Sequence, residues 1–234
     1  MLMILSYAAL LAAEPLWEAF LRAAFPAQGS VIYQRAGMLR LAGEHMALVG
    51  LSSALSILIG VAGGILVTRK GGREFMPVVD DITSIGQTFP PVAVLALAVP
   101  ALGFGFRPAL FALFIYGLMP ILQNTVTGLR SVRSEILDAA AGMGMRPAQS
   151  LFRVELPLAL PVIMGGIRTS AVISVGTATI GATIGAGGLG APIISGLISR
   201  NPALVLQGAL SAALLAVVVD NVLAGVELFL SDDQ

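Results

Sequence analysis

The sequence contains no cysteine and a single histidine in 234 residues. Disulfides and thiol chemistry are therefore excluded, and the usual nitrogen and sulfur ligands of a zinc site are missing. No Gly-x-x-x-x-Gly-Lys-Ser/Thr run occurs, so the chain carries no P-loop of its own. There is also no Ser–His–Asp constellation for nucleophilic catalysis. We therefore expect no catalytic residues, no metal and no cofactor.

Charged residues are scarce as well, at 11% of the chain, whereas soluble domains have about 25%. Apolar residues make up 57% and the mean hydropathy is +0.93. The 13 basic and 13 acidic residues cancel, so no nucleic-acid partner is indicated. Long segments without charge are typical of multi-pass membrane proteins. We predict an all-α integral membrane protein, and we interpret the amino terminus as a retained helix because it lacks a basic flank and a cleavage site.

Six apolar segments are candidates to cross the membrane, since about 20 residues suffice. They are residues 2–25, 46–68, 75–100, 109–129, 158–184 and 202–230. The first segment contains Pro15, which predicts a kink, and it either spans the membrane or lies at its surface. We favour the span, so the count is five or six. Residues 1–45 are interpreted as an N-terminal helix with an external loop, and residues 46–230 as the transmembrane core.

Two polar passages concentrate positive charge, at residues 69–73 and 130–161. The excess of lysine and arginine in cytoplasmic loops places both on the cytoplasmic side. His45 begins the second segment. No second titratable group lies near it in sequence, so we interpret it as a residue at the membrane edge rather than a proton relay.

The third segment is interrupted by Gly86-Gln87-Thr88-Phe89-Pro90-Pro91. The two prolines remove backbone donors, which is tolerated at membrane depth only against protein or a water-filled cavity. Two interpretations remain open. Either Gln87, Thr88 and Phe89 line a pathway, or the segment has a proline kink in which Gln87 bonds a neighbouring helix.

Arg168 and Asp220 are expected at similar depth in the last two segments. A lone charge inside the bilayer is costly, so we hypothesise that they pair and hold these helices together. The alternative is that Asp220 carries protons. Between these segments, the glycine-rich run at residues 185–190 fits a dinucleotide-binding string, but no strand precedes it. We interpret it as a flexible break before a short re-entrant or surface segment at residues 191–199.

The passage at residues 130–161 carries a spaced pattern: Asp138-Ala139-Ala140, three residues, Gly144, nine residues, then Val154-Glu155-Leu156-Pro157. Ser134 is placed to cap a helix, and the alanines are small helix formers that another surface can approach closely. Met143 and Met145 would be exposed unless a partner covers them. The pattern resembles the EAA loop of ABC importer permeases, with Asp138 for Glu and Val154 for Ile. The alternative is an ordinary cytoplasmic loop that contains a helix.

The resemblance continues outside the loop. The matching stretches are residues 86–91, 142–145, 154–161, 166–170 and 176–180, and the similarity covers roughly residues 46–226. Within the family it is greatest to permeases of osmoprotectant importers for glycine betaine, choline and related quaternary amines, of the YehW type. It implies a type I ABC importer permease fold with five or six transmembrane helices in the bacterial cytoplasmic membrane. The coupling loop would lie in the cytoplasm at residues 130–157.

In that family the loop forms short helices that dock into a groove on the ATPase subunit. The resemblance implies an ATPase-coupling role for Asp138, Ala139, Ala140, Met143, Gly144, Met145 and Pro157. It implies that Gln87, Thr88, Phe89, Pro90, Thr177 and Thr179 line the translocation path. The implied partners are a separate ABC ATPase, a second permease copy or a homologous permease, a periplasmic substrate-binding protein and membrane lipid.

The rival hypothesis is a secondary transporter driven by an ion gradient. It would need carboxylates near the midplane and usually internal repeats, whereas the sequence offers only Asp220, off-centre, and no repeat. Substrate specificity is expected in the binding protein, because one Trp and three Tyr without a cluster cannot build an aromatic cage for a quaternary ammonium group.

Overall fold

A computed structural model describes residues 2–232, apart from the side chains of residues 2, 80, 82, 84–87, 231 and 232. Within this range the secondary structure is entirely helical. The helices are α1 (Leu2–Ala12), α2 (Glu14–Ala24), α3 (Met38–Thr68), α4 (Met76–Thr88), α5 (Pro91–Leu102), α6 (Phe106–Ser131), α7 (Ser134–Gly142), α8 (Pro147–Ser150), α9 (Leu156–Gly181), α10 (Gly190–Ser199) and α11 (Pro202–Asp232). A π-helical turn, Leu151–Glu155, joins α8 to α9.

Four of the described helical stretches are long and apolar enough to cross a membrane. They are Met38–Thr68, Phe106–Ser131, Pro147–Ile184 and Pro202–Leu230. Helices α1 and α2 make a fifth if they count as one span, although they meet at an angle of 68°. The kink predicted at Pro15 is confirmed as a complete break at Ala13, and Pro15 lies in the first turn of α2, where its missing amide would have no partner anyway.

The predicted third span is two shorter helices, α4 and α5, which is why fewer long spans are found than the sequence indicated. Phe89 and Pro90 between them have extended backbone, with φ/ψ of −75°/128° and −66°/135°. A residue that precedes proline is pushed out of the helical region, and here two such residues follow each other. The interruption predicted at residues 86–91 is confirmed. The Tyr116 hydroxyl donates a hydrogen bond to the Phe89 carbonyl.

The second span also differs from its prediction, because α3 begins at Met38 rather than at residue 46. Glu44 and His45 therefore lie inside the helix, and the preceding loop is shorter than expected. Arg40 Nε bonds Glu44 Oε1 at 3.0 Å, one helical turn along. Such pairs at i and i+4 stabilise a helix, so this polar stretch extends α3 instead of forming a loop.

The chain divides into two compact units. Unit one comprises residues 2–52, 90–113 and 171–221, and unit two comprises residues 53–89, 114–170 and 222–232. The main apolar cluster of unit one includes Leu11, Leu113, Val175 and Leu189. In unit two the apolar cluster next to the polar passage at residues 130–161 includes Leu129, Ala159 and Ile163.

In unit one the glycine-rich turn before α10 is held against α3. The Gly188 amide donates to Glu44 Oε2 and the Leu189 amide to His45 Nδ1, both at 3.3 Å. His45 Nε2 in turn lies 3.0 Å from the Val175 carbonyl, which fixes the proton on Nε2. His45 is 1% exposed, so its side chain is buried within the protein. Its position at the membrane edge stays a prediction. A Cβ on Gly190 would lie 2.0 Å from the Thr179 carbonyl oxygen, so contacts, not flexibility, define this turn.

In unit two an ion pair joins α9 to α11. Arg168 Nη1 lies 3.0 Å from Glu227 Oε2, and the two side chains are 32% and 23% exposed. Sequence analysis did not single out Glu227. The predicted pairing of Arg168 with Asp220 stays a prediction.

We expect Glu227→Gln and Arg168→Gln to destabilise the protein non-additively. Interhelical polar contacts in membrane proteins are worth about 1 kcal/mol, so a double-mutant cycle on the free energy of unfolding in detergent should return a coupling of that order. The parallel cycle with Asp220→Asn tests the predicted pairing. Additive losses in the Asp220 cycle would remove that pairing, and additive losses in the Glu227 cycle would contradict the observed ion pair.

Candidate functional site

The predicted coupling residues lie on the connection between α6 and α9 in unit two. Helix α7 begins at Ser134, and the extended residue before it is Arg133, with φ/ψ of −62°/138°. Ser134 is therefore the first helical residue and not the cap that the sequence suggested, and no side chain caps this end. The carboxylate of Glu135 in the first turn interacts favourably with the positive end of the helix dipole instead.

The carboxyl end of α7 is closed by a Schellman motif at Gly144. The Met145 amide donates to the Ala140 carbonyl at 3.1 Å and the Gly144 amide to the Ala141 carbonyl at 2.9 Å, which is the pair of bonds that defines this motif. Gly144 has φ +78°, a region that other L-residues enter at a cost of about 1–2 kcal/mol. The glycine in the spaced pattern is thus the residue that ends the helix.

The two faces of α7 differ in exposure. Ala140 is 1% exposed and Leu137 is half-buried, whereas Asp138 and Ala139 are exposed. The motif therefore combines one alanine that packs inward with an acid and an alanine that face outward. An outward surface with so small a side chain lets another helix or groove approach the backbone closely.

Large apolar side chains are also exposed along this connection. Met143 is 71% exposed, Phe152 is 67% exposed, and Ile136 is 37% exposed. Met145, in contrast, is half-buried. Exposed apolar groups of this size make the connection a candidate surface for contact with another protein. Phe152 was missed at the sequence level, although a bulky aromatic beside Arg153 in a cytoplasmic passage was a usable signal.

The π-helical turn forms the base of the connection and carries the second half of the motif. The Leu156 amide donates to the Leu151 carbonyl, the i to i−5 bond of a π turn. Pro157 follows and has no amide to offer to the Arg153 carbonyl, so the backbone departs from α-helical pairing here. Pro157 is half-buried in the first turn of α9.

This turn directs Glu155 inward, where its side chain is 9% exposed. Glu155 makes a two-pronged ion pair with Arg69, with Nη2–Oε2 at 2.7 Å and Nη1–Oε1 at 3.1 Å. Neither residue was predicted to act here. The motif treats position 155 as variable, and the partner lies 86 residues away in sequence.

A cleft of about 660 Å³ lies beside this ion pair. The connection between α6 and α9, residues 132–155, is called the coupling connection below after its predicted role. It contributes Leu137, Ala141 and Met145 to the wall of the cleft. The other lining residues include four cations and one acid, namely Arg69, Lys70, Arg73, Arg130 and Glu155. The basic turn at residues 69–73 and the coupling connection therefore share one cleft within unit two.

The residues predicted to line a path are distributed over both units. Thr88 and Phe89 are exposed in unit two, and the Gln87 side chain lies outside the described residues. In unit one Pro90 is exposed, and Thr177 and Thr179 are half-buried. Thr179 Oγ1 bonds the Gly176 carbonyl of its own helix. The assignment of these residues to a path stays a prediction.

Within the described part of the chain, no group of three or more His, Asp or Glu residues could hold a metal ion.

Known proteins resemble this chain in sequence over most of its length. The choline transport system permease protein OpuBB of Bacillus subtilis is 44% identical over 186 residues, which cover 79% of this chain and 84% of the relative. The osmoprotectant import permease protein OsmY of Salmonella typhimurium is 41% identical over 187 residues, which cover 80% of this chain and 79% of the relative.

The fold has solved counterparts too. A chain of the MetNI methionine ABC transporter in an inward-facing conformation superposes with a TM-score of 0.73 at 22% identity, over 82% of this chain and 95% of that one. The predicted fold class, an all-α permease of the type I importer kind, is confirmed. The model of the family described as "Binding-protein-dependent transport system inner membrane component" matches residues 57–229. The chain therefore belongs to the family of inner-membrane permease components of binding-protein-dependent ABC transport systems.

Proposed function

We propose that this chain is the permease subunit of an ATP-driven importer of quaternary-amine osmoprotectants such as glycine betaine. The observation that carries the proposal is the exposed surface of Asp138 and Ala139 on a helix that Gly144 ends. It stands where the coupling loop of the family is expected. The substrate class follows from relatives about 40% identical whose names specify choline and osmoprotectant transport. The ion-gradient alternative, with Asp220 as carrier, has no support among these relatives.

Membership of the family implies two kinds of partner, a separate ATPase and a substrate-binding protein. We further propose that two permeases, identical or homologous, meet to form the path, and that the binding protein is periplasmic. Each permease presents Asp138, Ala139 and Met143 to an ATPase groove on the cytoplasmic side. Membrane lipid surrounds the long apolar helices.

In the proposed mechanism, ATP binding closes the ATPase dimer and displaces the coupling loop. The loop is continuous with α6 at one end and with α9 at the other, so its displacement reaches both long helices. A helix with a defined end transmits such a displacement better than a frayed one, which gives the Schellman motif at Gly144 a mechanical role. The permease then alternates between inward and outward openings.

We propose that the substrate passes Gln87, Thr88, Phe89 and Pro90 of the broken span and Thr177 and Thr179 of α9. These side chains are uncharged and mostly small or weakly polar. A zwitterionic substrate needs no fixed countercharge along its path. Tight recognition by aromatic faces, which suits quaternary ammonium groups, is assigned to the binding protein.

The deciding experiment is uptake of labelled glycine betaine into proteoliposomes that contain this chain, its ATPase and its binding protein. We expect uptake only with ATP inside the compartment that the ATPase faces. A parallel arm without ATP applies a proton or a sodium gradient. Uptake in that arm would contradict the importer proposal and make Asp220 the residue to study.

Gly144→Leu is expected to uncouple the permease from its ATPase. The substitution forces a branched residue to φ +78° at a cost of about 1–2 kcal/mol, so the end of α7 should fray. Gly142→Ala is the matched control, because Gly142 has open space for a Cβ and no positive φ. We expect ATPase co-purification and uptake to fall for the Gly144 variant and to stay normal for the control. Equal loss in both would contradict the role of the Schellman glycine.

Phe152→Ser is expected to weaken ATPase binding without destabilising the permease, since Phe152 is 67% exposed. Removing an apolar contact residue from an interface costs about 1–3 kcal/mol, or roughly 5- to 150-fold in the dissociation constant. Phe104→Ser serves as control because Phe104 is 78% exposed in the turn between α5 and α6, at the opposite end of α6 from the connection to α9. Titration of the ATPase onto immobilised permease measures the dissociation constant of each variant, which should rise for Phe152→Ser and stay unchanged for Phe104→Ser. Unchanged affinity for the Phe152 variant would remove it from the docking surface.

A further inference from the structure

We propose that the Arg69–Glu155 ion pair is a mechanical link that carries coupling-loop motion to the turn between α3 and α4. The proposal rests on the importer function proposed above and assigns both residues a positioning role. By chain connectivity alone, the coupling loop pulls only on α6 and α9. The ion pair adds a third point of attachment, to the segment that leads into the broken span.

The geometry of the pair suits a link that bears load. The two terminal guanidinium nitrogens of Arg69, Nη2 and Nη1, bond the two carboxylate oxygens of Glu155 at 2.7 and 3.1 Å. Two parallel charge-assisted bonds fix the angle as well as the distance between the groups. Ser150 Oγ donates to Glu155 Oε1 at 3.2 Å, and Arg69 Nη2 donates to Thr68 Oγ1 at 3.3 Å. Each partner is thus held by its own segment.

The position of Glu155 places one end of the link at the base of the coupling loop. Glu155 is the last residue of the π-helical turn, directly before α9 begins at Leu156. π-helical turns recur at functional sites because they displace a side chain from the α-helical register. Here the displaced side chain is buried and reaches across to Arg69. The link therefore starts at the base of the coupling loop, where the loop joins its long helix.

The other end of the link lies in a turn that is itself tightly built. The Gly72 and Arg73 amides bond the Arg69 carbonyl at 2.9 and 3.1 Å. A Cβ on Gly72 would lie 2.0 Å from the Leu66 carbonyl oxygen, so the turn folds directly back on the end of α3. A short turn packed this closely passes displacement of Arg69 on to α4. Helix α4 ends at Thr88, at the break where we propose that the path is lined.

Electrostatics explain why this acid in particular is needed. The described residues that line the cleft include four cations, Arg69, Lys70, Arg73 and Arg130, and Glu155 is the only acid among them. Removing Glu155 leaves a cluster of like charges at the joint, and removing Arg69 leaves a buried carboxylate without its main partner. Either change disrupts the joint more than removal of both together, because an uncompensated buried charge is the expensive state.

The test measures ATP hydrolysed per glycine betaine imported, in proteoliposomes with the complete importer. We expect Arg69→Gln and Glu155→Gln each to lower uptake about tenfold while ATP hydrolysis stimulated by loaded binding protein continues. The double neutral variant, Arg69→Gln with Glu155→Gln, should be no worse than either single change. The swap, Arg69→Glu with Glu155→Arg, should recover part of the uptake. Arg69→Lys keeps the charge but loses the two-pronged geometry, so it should assemble normally and give an intermediate ratio.

Glu227→Gln is the matched control, because it breaks another half-buried ion pair between helices of unit two. It should lower thermal stability and leave the ATP-to-substrate ratio unchanged. The link is overturned if uptake and hydrolysis fall in parallel in the Arg69 and Glu155 variants, or if Arg69→Lys behaves like the unaltered chain. Absence of ATP-dependent uptake by the unaltered importer would instead refute the proposed function, so the two failures are distinguishable.

Discussion

A backbone polar group that leaves a helix inside a bilayer must find its partner within the protein, because lipid offers none. The structure meets this constraint at two of the breaks that its described residues show in the apolar segments. At the turn before α10, Glu44 and His45 accept the Gly188 and Leu189 amides. Between α4 and α5, the Tyr116 hydroxyl bonds the Phe89 carbonyl. Polar side chains on the neighbouring helices are therefore needed to bond the backbone groups that the breaks leave free. The breaks in turn allow the helices to change their packing, which a transport protein needs.

The connection between α6 and α9 follows the opposite rule on our proposal, because an ATPase subunit would cover part of its surface. Its outer side exposes Met143 and Phe152, which would be a liability on a surface that water covers. Its inner side is anchored by Ala140 and by the Glu155 ion pair. The connection is thus anchored by buried contacts and also has exposed apolar side chains, an arrangement that the proposed docking of an ATPase requires.

The sequence predicted the long apolar helices, the break at Phe89–Pro90 and the family, because each depends on a local pattern of hydropathy, proline or spaced motif residues. It misplaced the start of α3, where the local Arg40–Glu44 pair was overlooked, and it did not reveal the partners of His45. Those partners lie more than 100 positions away, which no local pattern reveals. The role of Gly144 is local. The Gly144 amide bonds the Ala141 carbonyl and the Met145 amide bonds the Ala140 carbonyl, so the glycine has to follow the alanines at this distance. The Arg69–Glu155 pair is non-local, so the motif gave no hint of it.

Charged residues are few in this chain, and in unit two buried or half-buried charges form two ion pairs between segments. Arg69 pairs with Glu155, and Arg168 pairs with Glu227. Both pairs join segments that are distant in sequence but adjacent in unit two. An ion pair between helices resists sliding in a way that apolar contacts do not, since lipid tails compete with apolar side chains for the same packing. The two ion pairs therefore hold neighbouring segments of unit two in place, and the substrate path that we propose is left without charged side chains.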